Sequence, residues 1–266
     1  MYIIGLYGVI LHLLLLNAFL KDPLKCFRNS ATYLVANLAV CDLTISLYEP
    51  YSDWFNHLSS DIIRIIVITA SMITIISISA DRYLMVVHPL KHRYLMNGKK
   101  IITFIVLIWI LASLNGFQET LLSPTNFYLF SIDTCFGVAI VLATAFLYVL
   151  TSISLHKQTR DLALQNASVF NRSQATRLLK ERRFVRTILL IACITVIGIA
   201  PYWIVEYVFI TKEILDEKTR TLDILLCFFG ALFMFTFATN PLIYFLRLPK
   251  YKKSFCILYY WRRPLN

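Results

Sequence analysis

Three short groups of polar residues interrupt otherwise apolar stretches of this chain. Asp42 sits in the middle of Leu38-Ala-Val-Cys-Asp-Leu43, Asp81 and Arg82 fall in Ser79-Ala-Asp-Arg-Tyr-Leu84 ahead of Pro89, and Asn240-Pro-Leu-Ile-Tyr244 closes a third stretch. An ionisable group within apolar sequence is costly to bury, so each is a functional site by default. Pro241 frees backbone carbonyls that the Asn240 amide or a water molecule can satisfy. None of these groups has the form of a hydrolytic or metal-ligating set. The sequence holds no His-Glu-x-x-His and no paired mid-span aspartates, and its six cysteines (Cys26, Cys41, Cys135, Cys193, Cys227, Cys256) show no C-x-x-C spacing. The expected chemistry is that of ion pairs and hydrogen bonds inside an apolar bundle, with no enzyme activity.

The elements that carry these residues follow from composition. Of 266 residues 58% are hydrophobic and 15% charged, against about 45–50% and about 25% in soluble domains. The mean hydropathy is +0.67. A soluble enzyme of this size could not hide so much apolar surface in one core. Scarce glycine (7) and proline (8) exclude collagen-like and low-complexity classes. The pattern predicts an all-α fold of seven membrane spans in one domain, at about 2–20, 31–49, 59–85, 101–114, 135–155, 187–210 and 221–245. A short amphipathic helix over about 248–258 should lie on the membrane surface, with Lys250, Lys252 and Lys253 toward anionic headgroups. The first run lacks a basic lead and a small-residue cleavage site, so it reads as an anchor, not a signal peptide. A short polar link ending near Asp133 should join the fourth and fifth spans.

The net charge of +11 could suggest nucleic acid, but sorting the charges by turn explains it differently. All but four of the 26 lysines and arginines fall on one set of turns, the exceptions being Arg64, Lys212, Lys218 and Arg220. Most acids, among them Glu49, Asp53, Asp61, Glu119, Asp133, Glu206 and Asp223, lie on the other set. The positive-inside rule then puts the long polar segment from His156 to Arg186 and the C-terminus in the cytoplasm, and the N-terminus outside. No nucleic-acid partner is needed. The sequons Asn166-Ala-Ser168 and Asn171-Arg-Ser173 fall on the inner side and read as chance matches.

Together the motifs resemble those of the rhodopsin-like G-protein-coupled receptors. The resemblance rests on Leu38-Ala-x-x-Asp42, Asp81-Arg82-Tyr83, Trp109, Tyr148, Pro201 and Asn240-Pro241-Leu-Ile-Tyr244, in order and in register with seven spans. It implies a plasma-membrane receptor whose partners are an extracellular ligand, a heterotrimeric G protein and the bilayer. In the roles it implies, Asp81 pairs with Arg82, and Glu181 at the foot of span six forms a second pair that holds spans three and six together. Breaking that pair turns Arg82 toward a partner, with the hydroxyls of Tyr148 and Tyr244 nearby, while Pro201 provides the kink. The bland alternative makes Arg82 and Glu181 interfacial charges that snorkel to water. Asp42, Ser71 and Asn240 match the family's sodium-ion pocket, a Na+ at Asp42 being the one cofactor implied; the alternative is a hydrogen-bond cluster without an ion. His12 stands where span one normally has asparagine. Its imidazole either pairs with Asp42 or stays neutral on a backbone carbonyl.

The chain also departs from the family. His57 replaces the usual cysteine of span three, the loop before Cys135 has no other cysteine, and Ile140 replaces the usual proline of span five. These absences resemble the branch of melanocortin, lysophospholipid and cannabinoid receptors. Ile199 and Thr195 replace aromatic residues below Pro201, Thr236 and Phe237 replace polar residues near Asn240, and Met234 stands where light receptors carry the retinal lysine. Arg64 occupies the position of the aminergic aspartate and favours an anionic group, whereas Asp61 and Glu206 favour a cationic one; alternatively these charges neutralise each other. Tyr202, Trp203 and Tyr207 would wall that pocket with aromatic rings. Cys256 is either a palmitoylation site or a buried thiol. The function expected is transduction of a peptide, lipid or small metabolite to G proteins. Rival readings are a receptor-like protein that does not signal and a transporter; the latter would require internal repeats or broken spans, and none is visible.

Overall fold

The computed structural model describes residues 2–23, 29–48, 50, 57–96, 98–122, 127–164, 220–247 and 249–259, with shorter pieces between 179 and 209. Helices account for nearly all of them. They are α1 (Tyr2–Lys21), α2 (Ser30–Tyr48), α3 (His57–Val87), the short α4 (Pro89–Leu95), α5 (Gly98–Leu122) and α6 (Phe127–Leu164). After the sixth-span stretch come α7 (Arg220–Arg247) and α8 (Pro249–Tyr259). Every described residue between 183 and 209 is helical too. Six of the helices are long and apolar enough to cross a membrane.

Local sequence explains several boundaries. Asn29 caps α2, its Oδ1 accepting from the Thr32 backbone N–H and hydroxyl at 2.9 Å each. Pro89 supplies a ready first-turn φ for α4 after α3 ends. The polar link expected before Asp133 is instead largely helical, since α5 runs on to Leu122 and α6 begins at Phe127. Extending an existing helix costs little beyond its nucleus, so the helices overrun their apolar cores at both ends.

The helices are apolar on nearly all sides, and their outward faces show it. Along α1, Ile3, Leu6, Ile10 and Leu13 are exposed, while Gly5, Gly8, His12 and Leu15 face the bundle. An apolar stripe turned outward is what a helix in lipid presents. Since lipid tails compete with apolar side chains, close packing through small residues must hold the helices together. A Cβ on Gly8 would lie 2.5 Å from Ser46 Oγ and 3.1 Å from the Ala238 side chain, so α1 presses hard on α2 and α7. Gly116 likewise lets α5 approach Ile66 of α3, and Gly198 leaves room for the Thr236 hydroxyl of α7.

α3 is the central helix and packs against α2, α5 and α6. Two apolar clusters fill the interior. One, at the Arg82 end, gathers Leu34, Leu38, Ile75, Ile78, Tyr148, Val185, Tyr244 and Tyr251. The other, at the Arg64 end, gathers Val67, Met72, Ile108, Tyr202, Phe233, Met234 and Phe237. The functional polar residues lie between and at the ends of these clusters.

Candidate functional site

At the Arg82 end, Asp81 is wholly buried and saturated with donors. Its Oδ1 accepts from the Ser30 hydroxyl at 2.5 Å and lies 2.8 Å from His92 Nε2. Its Oδ2 accepts from Arg82 Nε at 2.8 Å and from a terminal nitrogen of the same guanidinium. One carboxylate thus joins the start of α2, the end of α3 and the turn helix α4. Buried charges are tolerated when paired and hydrogen-bonded, and here the carboxylate has a donor on each oxygen and the guanidinium meets it through two nitrogens. On its other side the Arg82 guanidinium stacks over the Phe184 ring at 4.9 Å, a cation–π contact with the sixth-span stretch. Tyr83 packs edge-on against His88.

Near this cluster, Tyr148 and Tyr244 are each 1% exposed, and neither hydroxyl has a hydrogen-bond partner among the described residues. Tyr244 stacks on Tyr251 of α8 at 5.9 Å, and Tyr251 in turn meets Phe19 of α1 edge-on. Unpaired buried hydroxyls cost free energy in any packing that leaves them so.

In the middle of the bundle Asp42 accepts from Asn240 Nδ2 at 2.8 Å, which links α2 to α7 just before Pro241. His12 Nε2 approaches the same carboxylate oxygen to 3.5 Å. Ser71, the third residue of the expected pocket, donates to the Ile68 carbonyl of its own helix at 3.1 Å. A second polar knot lies beside it: Asn37 donates to Thr74 at 2.8 Å and accepts from the Trp109 indole at 2.9 Å, tying α2, α3 and α5.

At the Arg64 end the guanidinium donates to the Tyr202 hydroxyl at 2.7 Å, across the bundle from α3 to the residue after Pro201. Tyr202 stacks on Phe233, which meets Phe237 edge-on. Trp203 lies against α6 where Gly137 has no side chain. Arg64 is thus tied to one end of a row of stacked aromatic rings.

The structure therefore brings together Asp81 with Arg82, Asp42 with Asn240, and Arg64 with Tyr202. Glu181 and Glu206, and the side chain of Asp61, lie outside the described residues. Among those described, Cys41, Cys193, Cys227 and Cys256 carry free thiols, and Cys256 is half-buried on α8. Sequence reasoning missed Ser30 and His92 as partners of Asp81. Its one usable signal was a histidine on the short turn after Pro89.

Comparison with known proteins bears on the family and the fold. The model of the 7 transmembrane receptor (rhodopsin family) matches residues 13–244. A Gq-coupled rhodopsin of Mizuhopecten yessoensis is 23% identical over 95% of this chain and 58% of its own length. A probable G-protein coupled receptor, tkr-1, of Caenorhabditis elegans is 22% identical over 89% of the chain and 64% of its own length. A tachykinin-like peptides receptor of Drosophila melanogaster is 31% identical, over 33% of the chain and 19% of its own. The chain thus spans less than two-thirds of the length of each of these relatives. The crystal structure of squid rhodopsin superposes with a TM-score of 0.82 at 18% identity, over 97% of this chain and 83% of that one. The fold is accordingly a seven-helix membrane bundle, and the chain belongs to the rhodopsin family of seven-transmembrane receptors.

Proposed function

We propose that this protein is a plasma-membrane receptor that passes the binding of an extracellular ligand to heterotrimeric G proteins. The observation that carries the reading is the buried Asp81–Arg82 pair, closed on one side by Ser30 and His92 and on the other by Phe184. In this packing the guanidinium is occupied and turned inward, which is a resting arrangement. Displacing the sixth span about Pro201 removes Phe184 from the guanidinium and opens the Arg82 end to a partner. Tyr148 and Tyr244, whose hydroxyls lack partners here, then gain something to bind. The two packings interconvert as populations, and a ligand shifts them only by its differential affinity.

The basic set of turns faces the cytoplasm in this reading, and the Arg64 end faces outward. A ligand reaching Arg64, Tyr202 and Trp203 would press on the sixth span next to its proline. Ligand classes that suit such a wall are a peptide, a lipid or a small metabolite. Two matched relatives bear tachykinin or substance-P receptor names, which supports trying peptides first.

The test is nucleotide exchange on a panel of purified G proteins with the chain reconstituted in lipid. Exchange that is present with the wild type and lost with Arg82→Ala is the expected result. Absence of basal and ligand-driven exchange alike, with Arg82→Ala indistinguishable from wild type, would make this a receptor-like protein that does not signal.

A further inference from the structure

We propose that the His12 imidazolium, and not a bound cation, balances the Asp42 carboxylate at the centre of the bundle. His12, Asp42 and Asn240 are 0%, 1% and 1% exposed, so no water surface neutralises the carboxylate. His12 Nδ1 lies 2.8 Å from the Gly8 carbonyl oxygen. A carbonyl oxygen can only accept, so Nδ1 carries a hydrogen whatever the charge of the ring. The second nitrogen, Nε2, is then left facing Asp42 Oδ2 at 3.5 Å. With neither group protonated a lone pair would face an anion, so the gap between Nε2 and Oδ2 calls for a proton. With that proton on Nε2 the ring becomes the counter-charge.

The groups around the carboxylate are those an anion wants. Asn240 turns its N–H toward Oδ2, and His12 turns its ring nitrogen to the same atom. A small hard cation takes oxygens, about six of them. Here the hydroxyls of Ser71, Ser46 and Thr236 donate along their own helices, to the carbonyls of Ile68, Asp42 and Leu232, and offer no hydrogen to the carboxylate. The next residue, Phe237, is a buried ring. With Asn240 Nδ2 and His12 Nε2 both turned to Oδ2, a cation at this carboxylate would sit beside two nitrogens and against a positive ring. The residues of this chain therefore do not fit the sodium ion that its family resemblance implies.

The placement of His12 is built into the packing. Gly8, one turn earlier on α1, touches Ser46 and leaves no room for a Cβ, which brings α1 close enough for the imidazole to reach Asp42. A side chain on α1 thus occupies the centre in place of a diffusible ion. The inference does not depend on whether the chain couples to G proteins.

The experiment uses the purified full chain in lipid nanodiscs, with NaCl replaced stepwise by choline chloride at constant ionic strength. The wild-type thermal midpoint is expected to stay level across the series. The midpoint of His12→Asn is expected to rise with Na+, because its amide returns an oxygen and removes the positive charge. A wild-type midpoint that climbs saturably with Na+ overturns the proposal, as does a His12→Asn variant no more responsive than wild type. Should that variant not fold, 15N NMR of histidine-labelled wild type decides. The ring slowest to exchange with water should carry hydrogen on both nitrogens, and a bare Nε2 there would refute the assignment.

Discussion

His92 Nε2 lies 2.8 Å from Asp81 Oδ1, so a turn outside the membrane spans is fastened directly to the residue that holds Arg82. The Ser30 hydroxyl shares that oxygen from the opposite helix at 2.5 Å. Asp81 is therefore a junction of three elements, and the resting packing proposed above would depend on all its donors. Hydrogen bonds to a charged group contribute about 1.5–3 kcal/mol each. His92→Phe removes one of them and keeps the bulk of the ring. Basal nucleotide exchange is expected to rise several-fold, and the thermal midpoint to fall.

Asp81→Asn is the more severe change. It leaves the Arg82 guanidinium buried without its counter-charge, and breaking a buried pair from one side costs about 3–5 kcal/mol. Basal exchange should exceed that of His92→Phe, with lower expression and a lower midpoint. The double variant should fall short of the sum of the two single effects, since both act on the same carboxylate. Strictly additive changes in a thermal-shift cycle would separate His92 from the junction.

The knot of Asn37, Thr74 and Trp109 joins three helices away from the Arg82 end. Asn37→Ala strips two buried partners at once, leaving the Trp109 indole N–H and the Thr74 hydroxyl with less to bind. The expected cost is about 1–3 kcal/mol of stability, read as a lower midpoint. The ratio of basal to maximal exchange should change little, because none of these residues touches Asp81 or Arg82.

How much of this arrangement could be read from sequence depends on the surroundings of each residue. Asp42, Arg82 and Asn240 stand out because a charge or an amide in an apolar run is conspicuous. Ser30 and His92 do not, because they sit in or beside polar turns where such residues are ordinary. Only the fold brings Ser30 to Asp81 across 51 positions of chain. His12 was legible as two alternatives, a partner for Asp42 or a neutral ring on a carbonyl; in the structure Nδ1 lies on the Gly8 carbonyl and Nε2 turns toward Asp42 at 3.5 Å. Spans were visible from hydropathy, but the helices overrun them: α6 starts at Phe127, eight residues before the span expected from Cys135.

Gly198 tests how tightly the sixth-span stretch is held. A Cβ at this position would collide with the Thr236 hydroxyl and crowd its Cβ at 3.0 Å. Gly198 belongs to the sixth-span stretch, one turn before Pro201, so the contact lies beside the proline about which that stretch would swing. Gly198→Ala should cost about 1–3 kcal/mol as overpacking, partly offset by the higher helix propensity of alanine. Thr236→Ala opens the space that the new methyl needs, so the pair should regain most of the lost midpoint. The hydroxyl it removes donates only to the Leu232 carbonyl of its own helix, at 3.0 Å, so its loss orphans no partner on another helix. If Gly198→Ala is as stable as wild type, or if Thr236→Ala fails to rescue it, α7 and the sixth span are not in contact at this point. The same pair of variants should also move basal exchange in opposite directions, since a methyl that wedges the two helices apart favours the displaced packing.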